Sequence, residues 1–248
     1  MIREMQFKLN FLLWIVVEML WFALQLVFIS VIYSHVDRIV DWTQWQVVLL
    51  MGVSHLIQQI FTAFFFTNCS EFPEHVRTGR LDFLLLLPAP TRFLVSFYKL
   101  DLSGFLNGMT AIAVIVYAAG KLNLDPTWTQ IIGFGALVLV GALLHYALLF
   151  MLITISFWTV RAQGIIFAYY NLFNIARLPD SAFRGFFKMF FTFALPMLLV
   201  ANVPAKTLLS RLSSPWEMGV MFLVALVFLA LSSWFWNFSL NRYTSASS

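Results

Sequence analysis

Long apolar runs separated by short polar connections fill this chain. Six of the runs reach about the 20 residues that an α-helix needs to cross a hydrocarbon core of roughly 30 Å. They cover residues 11–34, 47–68, 102–120, 129–159, 183–203 and 216–240. This pattern predicts an all-α integral membrane protein with six transmembrane helices in a single domain that covers residues 1–248.

Residues 164–179 are a further apolar stretch, but Asn171, Asn174 and Arg177 interrupt it, so it is predicted not to cross. Cytoplasmic loops near spans carry an excess of Lys and Arg. Six spans with both termini in the cytoplasm place most of these residues inside, Arg184 and Lys188 included. Only four remain outside, namely Arg38, Lys121, Lys206 and Arg211. Counting 164–179 as a seventh span reduces the excess, which favours six.

Composition supports the same class of protein. Of 248 residues, 61% are hydrophobic and 10% are charged, against about 25% charged in an average soluble domain. The net charge of +4 fits cytoplasmic loops rich in Lys and Arg, so no nucleic-acid partner is predicted. The single cysteine, Cys69, excludes a disulfide within the chain.

The chain lacks the sequence motifs of common catalytic sites. It contains no G-x-x-x-x-G-K-[ST] phosphate loop, no H-E-x-x-H zinc motif and no G-x-S-x-G nucleophile elbow. Its histidines stand on different spans and loops without metal-ligand spacing. The sequence therefore predicts no catalytic site, no bound metal and no cofactor on this chain.

The first ten residues, MIREMQFKLN, predict a short amphipathic helix on the inner membrane surface. Ile2, Met5 and Leu9 follow helical spacing beside charged and polar neighbours.

A polar segment, residues 71–91, lies between the second and third spans. Charged residues fill its first half, and four leucines, residues 84–87, lead to Pro88 and Pro90. The segment predicts either a short interfacial helix that docks a soluble partner or an ordinary connecting loop.

Polar side chains also occur inside the first two spans. Glu18 and Gln25 share one face of the first span, and His55, Gln59 and Thr62 share one face of the second. Ionisable groups in hydrocarbon are costly and usually face the protein interior or a water-filled path. These faces either line a translocation path or hold the bundle together through interhelical hydrogen bonds.

Together these features resemble the membrane subunits of type 2 ATP-binding-cassette exporters, the ABC-2 permease family. A bacterial branch carries an acidic residue and then a G-x-L-D-x-x-L-x-x-P pattern after the second span. The matching residues here are Gly79, Leu81, Asp82, Leu85 and Pro88. Similar prolines occur around the fifth span, where Pro179 precedes Phe183 and where Pro196 and Pro204 follow. The resemblance covers nearly the whole chain, and it departs at Leu87, where many relatives have arginine.

The resemblance implies a permease subunit of the bacterial inner membrane that pairs with an identical or related chain. It implies two separate cytoplasmic ATPases that bind ATP and magnesium, and export of a hydrophobic or amphipathic substrate, either a small molecule or a lipid-like one. It makes the segment after the second span a coupling helix, with a tight turn at Gly79 and with residues 84–87 anchored in the bundle. The implied ATPase-coupling residues are Glu71, Glu74, Arg77, Gly79, Arg80, Leu81, Asp82 and Pro88.

Two other functions stay open from the residues alone. An ion-coupled secondary transporter would relay protons through buried carboxylates, but Glu18 is the only carboxylate well inside a predicted span. A membrane-embedded lipid-modifying enzyme would need acidic or histidine residues clustered at one membrane face. The candidates for that cluster are Glu71, Glu74, His75 and Asp82.

Overall fold

A computed structural model describes residues 8–159, 163–212 and 214–243 of the chain. Within these ranges the protein is built from α-helices joined by short turns and 3₁₀ segments. The helices are α1 (Lys8–Tyr33), α2 (Gln44–Arg77), α3 (Arg80–Leu85), α4 (Thr91–Phe97), α5 (Leu102–Lys121), α6 (Trp128–Thr154), α7 (Gln163–Leu172), α8 (Gly185–Ala194), α9 (Met197–Leu208) and α10 (Trp216–Leu240).

The long apolar helices confirm the all-α membrane fold. In the described part of the chain, α1, α2, α5, α6 and α10 are each long and apolar enough to cross a membrane, and the bent pair α8 and α9 meets the same test when joined. The amphipathic helix predicted for the first ten residues lies almost wholly outside the described residues, which begin as α1 at Lys8.

Side-chain caps fix where two of the spans begin. The Asp101 carboxylate accepts a hydrogen bond from the Ser103 backbone N–H at 2.9 Å and so caps α5. At the start of α6, the Thr127 backbone N–H donates to Gln130 Oε1 at 2.8 Å. Such caps satisfy backbone groups that a helix end leaves without intrahelical partners.

Helix α2 is the centre of the bundle and packs against α1, α5, α6 and α9. One turn of α2, Thr62–Phe66, is π-helical. The Ala63 carbonyl in this turn accepts the Asp101 backbone N–H at 2.9 Å. Helix α5 crosses the same turn at Gly104, where an added Cβ would lie 2.8 Å from both the Ala63 nitrogen and the Gln59 carbonyl oxygen. The close approach of α5 to α2 therefore requires a glycine at residue 104.

Polar contacts define one end of the bundle, here named the Asp41 end. Arg211 donates to the Asp41 carboxylate at 2.7 Å, and Ser181 donates to the same carboxylate at 2.6 Å. Lys206 lies 2.7 Å from Asp180. The opposite end, where α2 finishes, is named the Arg77 end.

Residues 163–180 run between the two ends of the bundle. Trp158, shortly before α7, packs on Phe235 and Phe238 near the last turns of α10, whereas Asp180 lies at the Asp41 end. Helix α7 and the 3₁₀ segment Phe173–Arg177 together rise about 25 Å at 1.5 Å and 2.0 Å per residue. The stretch predicted to be a cytoplasmic connection therefore extends along the bundle as far as the Asp41 end.

The predicted fifth span, residues 183–203, instead folds back on itself. Its two helices, α8 and α9, meet at 88° beside Pro196, which has no backbone N–H to continue a helix. Lys188 of α8 lies 3.9 Å from Asp180, and Arg211 just after α9 binds Asp41, so both ends of the pair lie at the Asp41 end. The bent pair therefore begins and finishes on the same side of the bundle.

Candidate functional site

The segment predicted to dock a partner is an ordered element at the Arg77 end. Helix α2 continues without interruption past Pro73 to Arg77, and the chain turns at Gly79, whose φ of 70° is in the left-handed region. That backbone conformation costs a residue with a Cβ roughly 1–2 kcal/mol, which explains the glycine. Helix α3 follows at once, so the tight turn predicted at Gly79 is present.

Apolar side chains of α3 and the turn after it point in two directions. Leu81 is fully buried, whereas Phe83 is 73% and Leu86 82% exposed. Leu85 and Leu87 are exposed as well, so the prediction that all of residues 84–87 anchor in the bundle is wrong. A six-residue helix has only one face against the bundle, and Leu81 occupies it.

Three charged residues of the segment form ion pairs within the chain. Lys99 lies 2.6 Å from the Glu71 carboxylate. Glu74 and Arg77, one helical turn apart, form an exposed pair at 2.7 Å. Arg80 and Pro88 are exposed. Glu71 and His75 line the same pocket, but the described residues contain no group of three or more acidic, histidine or cysteine side chains that could hold a metal ion.

Asn68 joins the end of α2 to the end of α4. Its side-chain amide donates to the Ser96 carbonyl at 3.1 Å and to the Lys99 carbonyl at 2.8 Å, and its oxygen accepts the Lys99 backbone N–H at 2.8 Å. These three bonds, made by a side chain that is 5% exposed, fix the two helices relative to each other.

Arg92 joins α4 to α6 and α10. Its guanidinium donates to Ser232 at 2.6 Å, to Ser233 and to Tyr146 at 3.2 Å, and it stacks over the Phe150 ring at 4.7 Å. The sequence prediction did not single out Asn68 or Arg92. Together they connect α4, which follows the exposed element, to three of the long helices, α2, α6 and α10.

The polar residues predicted inside the first two spans meet in the structure. Gln59 donates to the Glu18 carboxylate at 2.8 Å, which links α2 to α1. His55 is stacked on Phe22 of α1, with ring centroids 3.9 Å apart. Glu18, Gln25 and His55 all line one cleft of about 380 Å³ between α1, α2 and α7. Thr62 belongs to the π-helical turn and does not line this cleft.

Arg177 completes this cleft, although the sequence prediction placed it in a cytoplasmic loop. Its guanidinium donates to the Gln25 amide oxygen of α1 and, at 2.6 Å, to the Gln58 amide oxygen of α2. A charge needs such partners when it lies in a low-dielectric interior. The two glutamines, one on each of the first two spans, were the available signal that a cation from elsewhere in the chain would come between them.

Aromatic rings form much of the cleft wall. Trp14 and Trp21 of α1 and Phe167 of α7 are 62%, 65% and 73% exposed, whereas Tyr170 lies deeper against Phe66. The cleft thus has a polar floor and an apolar rim on the face of the bundle that α1 and α7 share.

Comparison with known proteins identifies the family. The family model described as ABC-2 family transporter protein matches residues 19–247, which is nearly the whole chain. Searches of curated proteins and of solved structures gave no match. The match agrees with the resemblance drawn from the G-x-L-D-x-x-L-x-x-P pattern, and membrane subunits of this family work with ABC ATPases. The chain therefore belongs to the ABC-2 family and is a multi-pass permease subunit of an ABC transporter.

Proposed function

We propose that this permease exports an amphipathic substrate, that the α3 element docks onto a separate ABC ATPase, and that the cleft between α1, α2 and α7 lies on the substrate path. The observation that carries the docking assignment is the contrast between α3 and its surroundings. Phe83 and Leu86 are exposed beyond the end of α2, while Leu81 of the same element is buried, and the neighbouring helix α4 is held to the long helices by Asn68 and Arg92.

This arrangement suits the transmission of movement. The 34 residues of α2 extend about 51 Å, well beyond a hydrocarbon core of roughly 30 Å, so the last turns of α2 project from the membrane. Packed helices move as rigid bodies when a partner displaces one of them. A displacement of α3 would therefore reach α2 and α4, on which α3 packs, and would pass from α4 to α6 and α10 through Arg92.

Orientation and assembly follow from where the ATPase must be. ATP is cytoplasmic, so the Arg77 end faces the cytoplasm, as do both termini, in the inner membrane of a bacterium. The excess of Lys and Arg on the cytoplasmic side supports this orientation less than the sequence suggested, because Arg177 lies in the bundle and Lys188 lies at the Asp41 end. The assembly consists of two ATPases, which bind ATP and magnesium, and two permease chains, identical or related, surrounded by membrane lipids.

The docking assignment is tested by removing the exposed apolar side chains. The double variant Phe83→Ala and Leu86→Ala should still insert in the membrane but should retain at least about tenfold less ATPase in a mild-detergent pull-down, because central apolar anchors carry most interface energy. Trp128→Ala is the matched control, since Trp128 is 80% exposed at the opposite end of the bundle. Normal ATPase recovery with the double variant would refute the assignment.

Charge reversal gives a second test of the same surface. Glu74 and Arg77 form a solvent-exposed pair, which contributes little to folding, so Glu74→Arg or Arg77→Glu should leave insertion intact. If these charges contact the ATPase, each reversal uncouples transport from ATP hydrolysis. The double reversal restores the pair within this chain without restoring coupling. Unchanged coupling in both single variants would remove these two residues from the docking surface.

A further inference from the structure

We infer that the cleft between α1, α2 and α7 binds the head of a zwitterionic amphiphile, an ammonium at Glu18 and a phosphate or carboxylate at Arg177. This inference rests on the proposed function for the place of the cleft on the substrate path, and it names the substrate class.

Glu18 and Arg177 both line the cleft, yet neither forms an ion pair with the other within 4.0 Å in the part of the chain that the structure describes. Their hydrogen-bond partners are neutral amides. Gln59 donates to Glu18 at 2.8 Å, and Gln25 and Gln58 accept from Arg177. The cleft therefore presents a negative and a positive group side by side, each with its charge uncompensated by its direct partners.

His55 adds a buried polar group. Its side chain is 4% exposed and lines the cleft. The Gln59 amide nitrogen lies 3.5 Å from His55 Nε2. Among the described residues, Nδ1 has no hydrogen-bond partner. A buried polar atom without a partner costs about 1–3 kcal/mol, which a ligand group that reaches it would recover.

Arg177 Nε is a second buried atom without a hydrogen-bond partner among the described residues. The Arg177 guanidinium suits the oxygens of an anion, whereas the Glu18 carboxylate suits an ammonium. Each half of a zwitterion thus finds an opposite charge in the lining of the cleft.

A head of a single charge fits this cleft less well. An anion at Arg177 would lie near the Glu18 carboxylate, and a cation at Glu18 would lie near the Arg177 guanidinium. Like charges brought together in a low-dielectric site repel strongly. The apolar tail of the ligand would pack against the rim of the cleft. There the exposed rings of Trp14, Trp21 and Phe167 form an apolar surface continuous with the lipid-facing side of α1.

The test is binding to the purified permease in nonionic maltoside micelles, measured as bound adducts by native mass spectrometry. Three probes share one acyl or alkyl chain length: a lysophosphatidylethanolamine, a lysophosphatidylglycerol and a long-chain alkylamine. The zwitterionic probe should bind at least about tenfold more tightly than the anionic and cationic ones. Equal binding of the three probes, or a preference for either singly charged one, would overturn the inference.

Two variants assign the selectivity to the cleft. Glu18→Gln should raise binding of the anionic probe to the level of the zwitterionic one, and Arg177→Gln should do the same for the cationic probe. Arg38→Gln, in an exposed connection, is the control and should keep the wild-type order. Should Arg177→Gln fail to fold, Glu18→Gln and the wild-type order still decide the question, and an unchanged order in Glu18→Gln counts against it.

The measurement needs no ATPase, so it separates this inference from the docking assignment. Loss of ATPase binding in the Phe83 and Leu86 variant should leave the probe order unchanged. Failure of zwitterion selectivity beside intact ATPase docking would overturn only the substrate class.

Discussion

Replacing Gly104 by alanine should destabilise the bundle at the point where α5 crosses the π-helical turn of α2. A Cβ at residue 104 would lie 2.8 Å from the Ala63 nitrogen and from the Gln59 carbonyl oxygen, and 2.9 Å from the Ala63 Cβ. Two of these three neighbours are backbone atoms, which cannot rotate away. The two helices must therefore separate by several tenths of an ångström to admit the methyl group.

Overpacking of this kind costs typically about 1–3 kcal/mol. For a chain of this size, that corresponds to a fall of roughly 2–12 °C in the unfolding midpoint, on the scale of about 2–4 °C per kcal/mol. Alanine also gains about 1 kcal/mol over glycine in a helix, which partly offsets the clash. The assay is thermal unfolding of the purified protein in mild detergent, followed by tryptophan fluorescence.

Gly108→Ala is the matched control. Gly108 lies one turn further along α5, and its added Cβ would have a nearest neighbour at 3.8 Å, an ordinary contact with Gln59. Both variants gain the same helix propensity, so the difference between their midpoints isolates the clash. If Gly104→Ala proved as stable as Gly108→Ala, the close approach of α5 to α2 would be refuted.

Three further changes have defined outcomes. Asn68→Ala removes the three hydrogen bonds that link α2 to the end of α4. It should lower stability by about 1–3 kcal/mol, measured by unfolding, and should reduce ATPase stimulation by substrate. Gly79→Ala forces a side chain into the left-handed region at φ 70° and should cost roughly 1–2 kcal/mol, whereas Gly79→Asn should cost less. Burial raises the pKa of the Asp41 carboxyl, but hydrogen bonding from Ser181 and attraction to Arg211 outweigh it, and the pKa lies below its usual value. The ionised Asp41 carboxylate therefore stabilises the folded protein above the unfolded-state pKa of about 4, and this stabilisation is lost as pH falls through the folded pKa. Between about pH 5 and pH 3, the thermal unfolding midpoint of the wild type should fall more than that of Asp41→Asn.

Hydropathy was sufficient to predict the long helices because their outward side chains face lipid. The runs that predicted the first, fourth and sixth spans coincide closely with α1, α6 and α10, whose outward faces are apolar. Glycine at residue 79 likewise identified a turn, since few other residues adopt its backbone conformation at low cost.

Hydropathy alone did not describe residues 163–203. The stretch that runs between the two ends contains Arg177, which is acceptable in the interior because Gln25 and Gln58 of two other helices bind it. The more apolar run after it folds back at Pro196 and ends beside Asp41. A proline in the middle of that run, with Lys188 and Lys206 on either side, was the sequence signal against a single span.

The coupling residues illustrate a different limit. The pattern located α3, but whether a leucine is buried or exposed depends on how a six-residue helix meets its neighbours, as Leu81 and Leu86 show. Arg92 carried no motif at all, and its role became visible only when Ser232 and Tyr146, far along the chain, were found around it.

The π-helical turn Thr62–Phe66 also sets a constraint on chain length. A π turn contains one residue more than the α turn it replaces, and one residue corresponds to about 100° around a helix axis. Because the π turn takes up this extra residue within one turn, deleting a single residue from it would restore regular α winding and leave Asn68 and the exposed face of α3 facing nearly the same direction. Two homologues that differ by one residue in this turn would therefore present their ATPase-facing surfaces alike, whereas a one-residue difference in a regular turn of α2 would rotate that surface by about 100°.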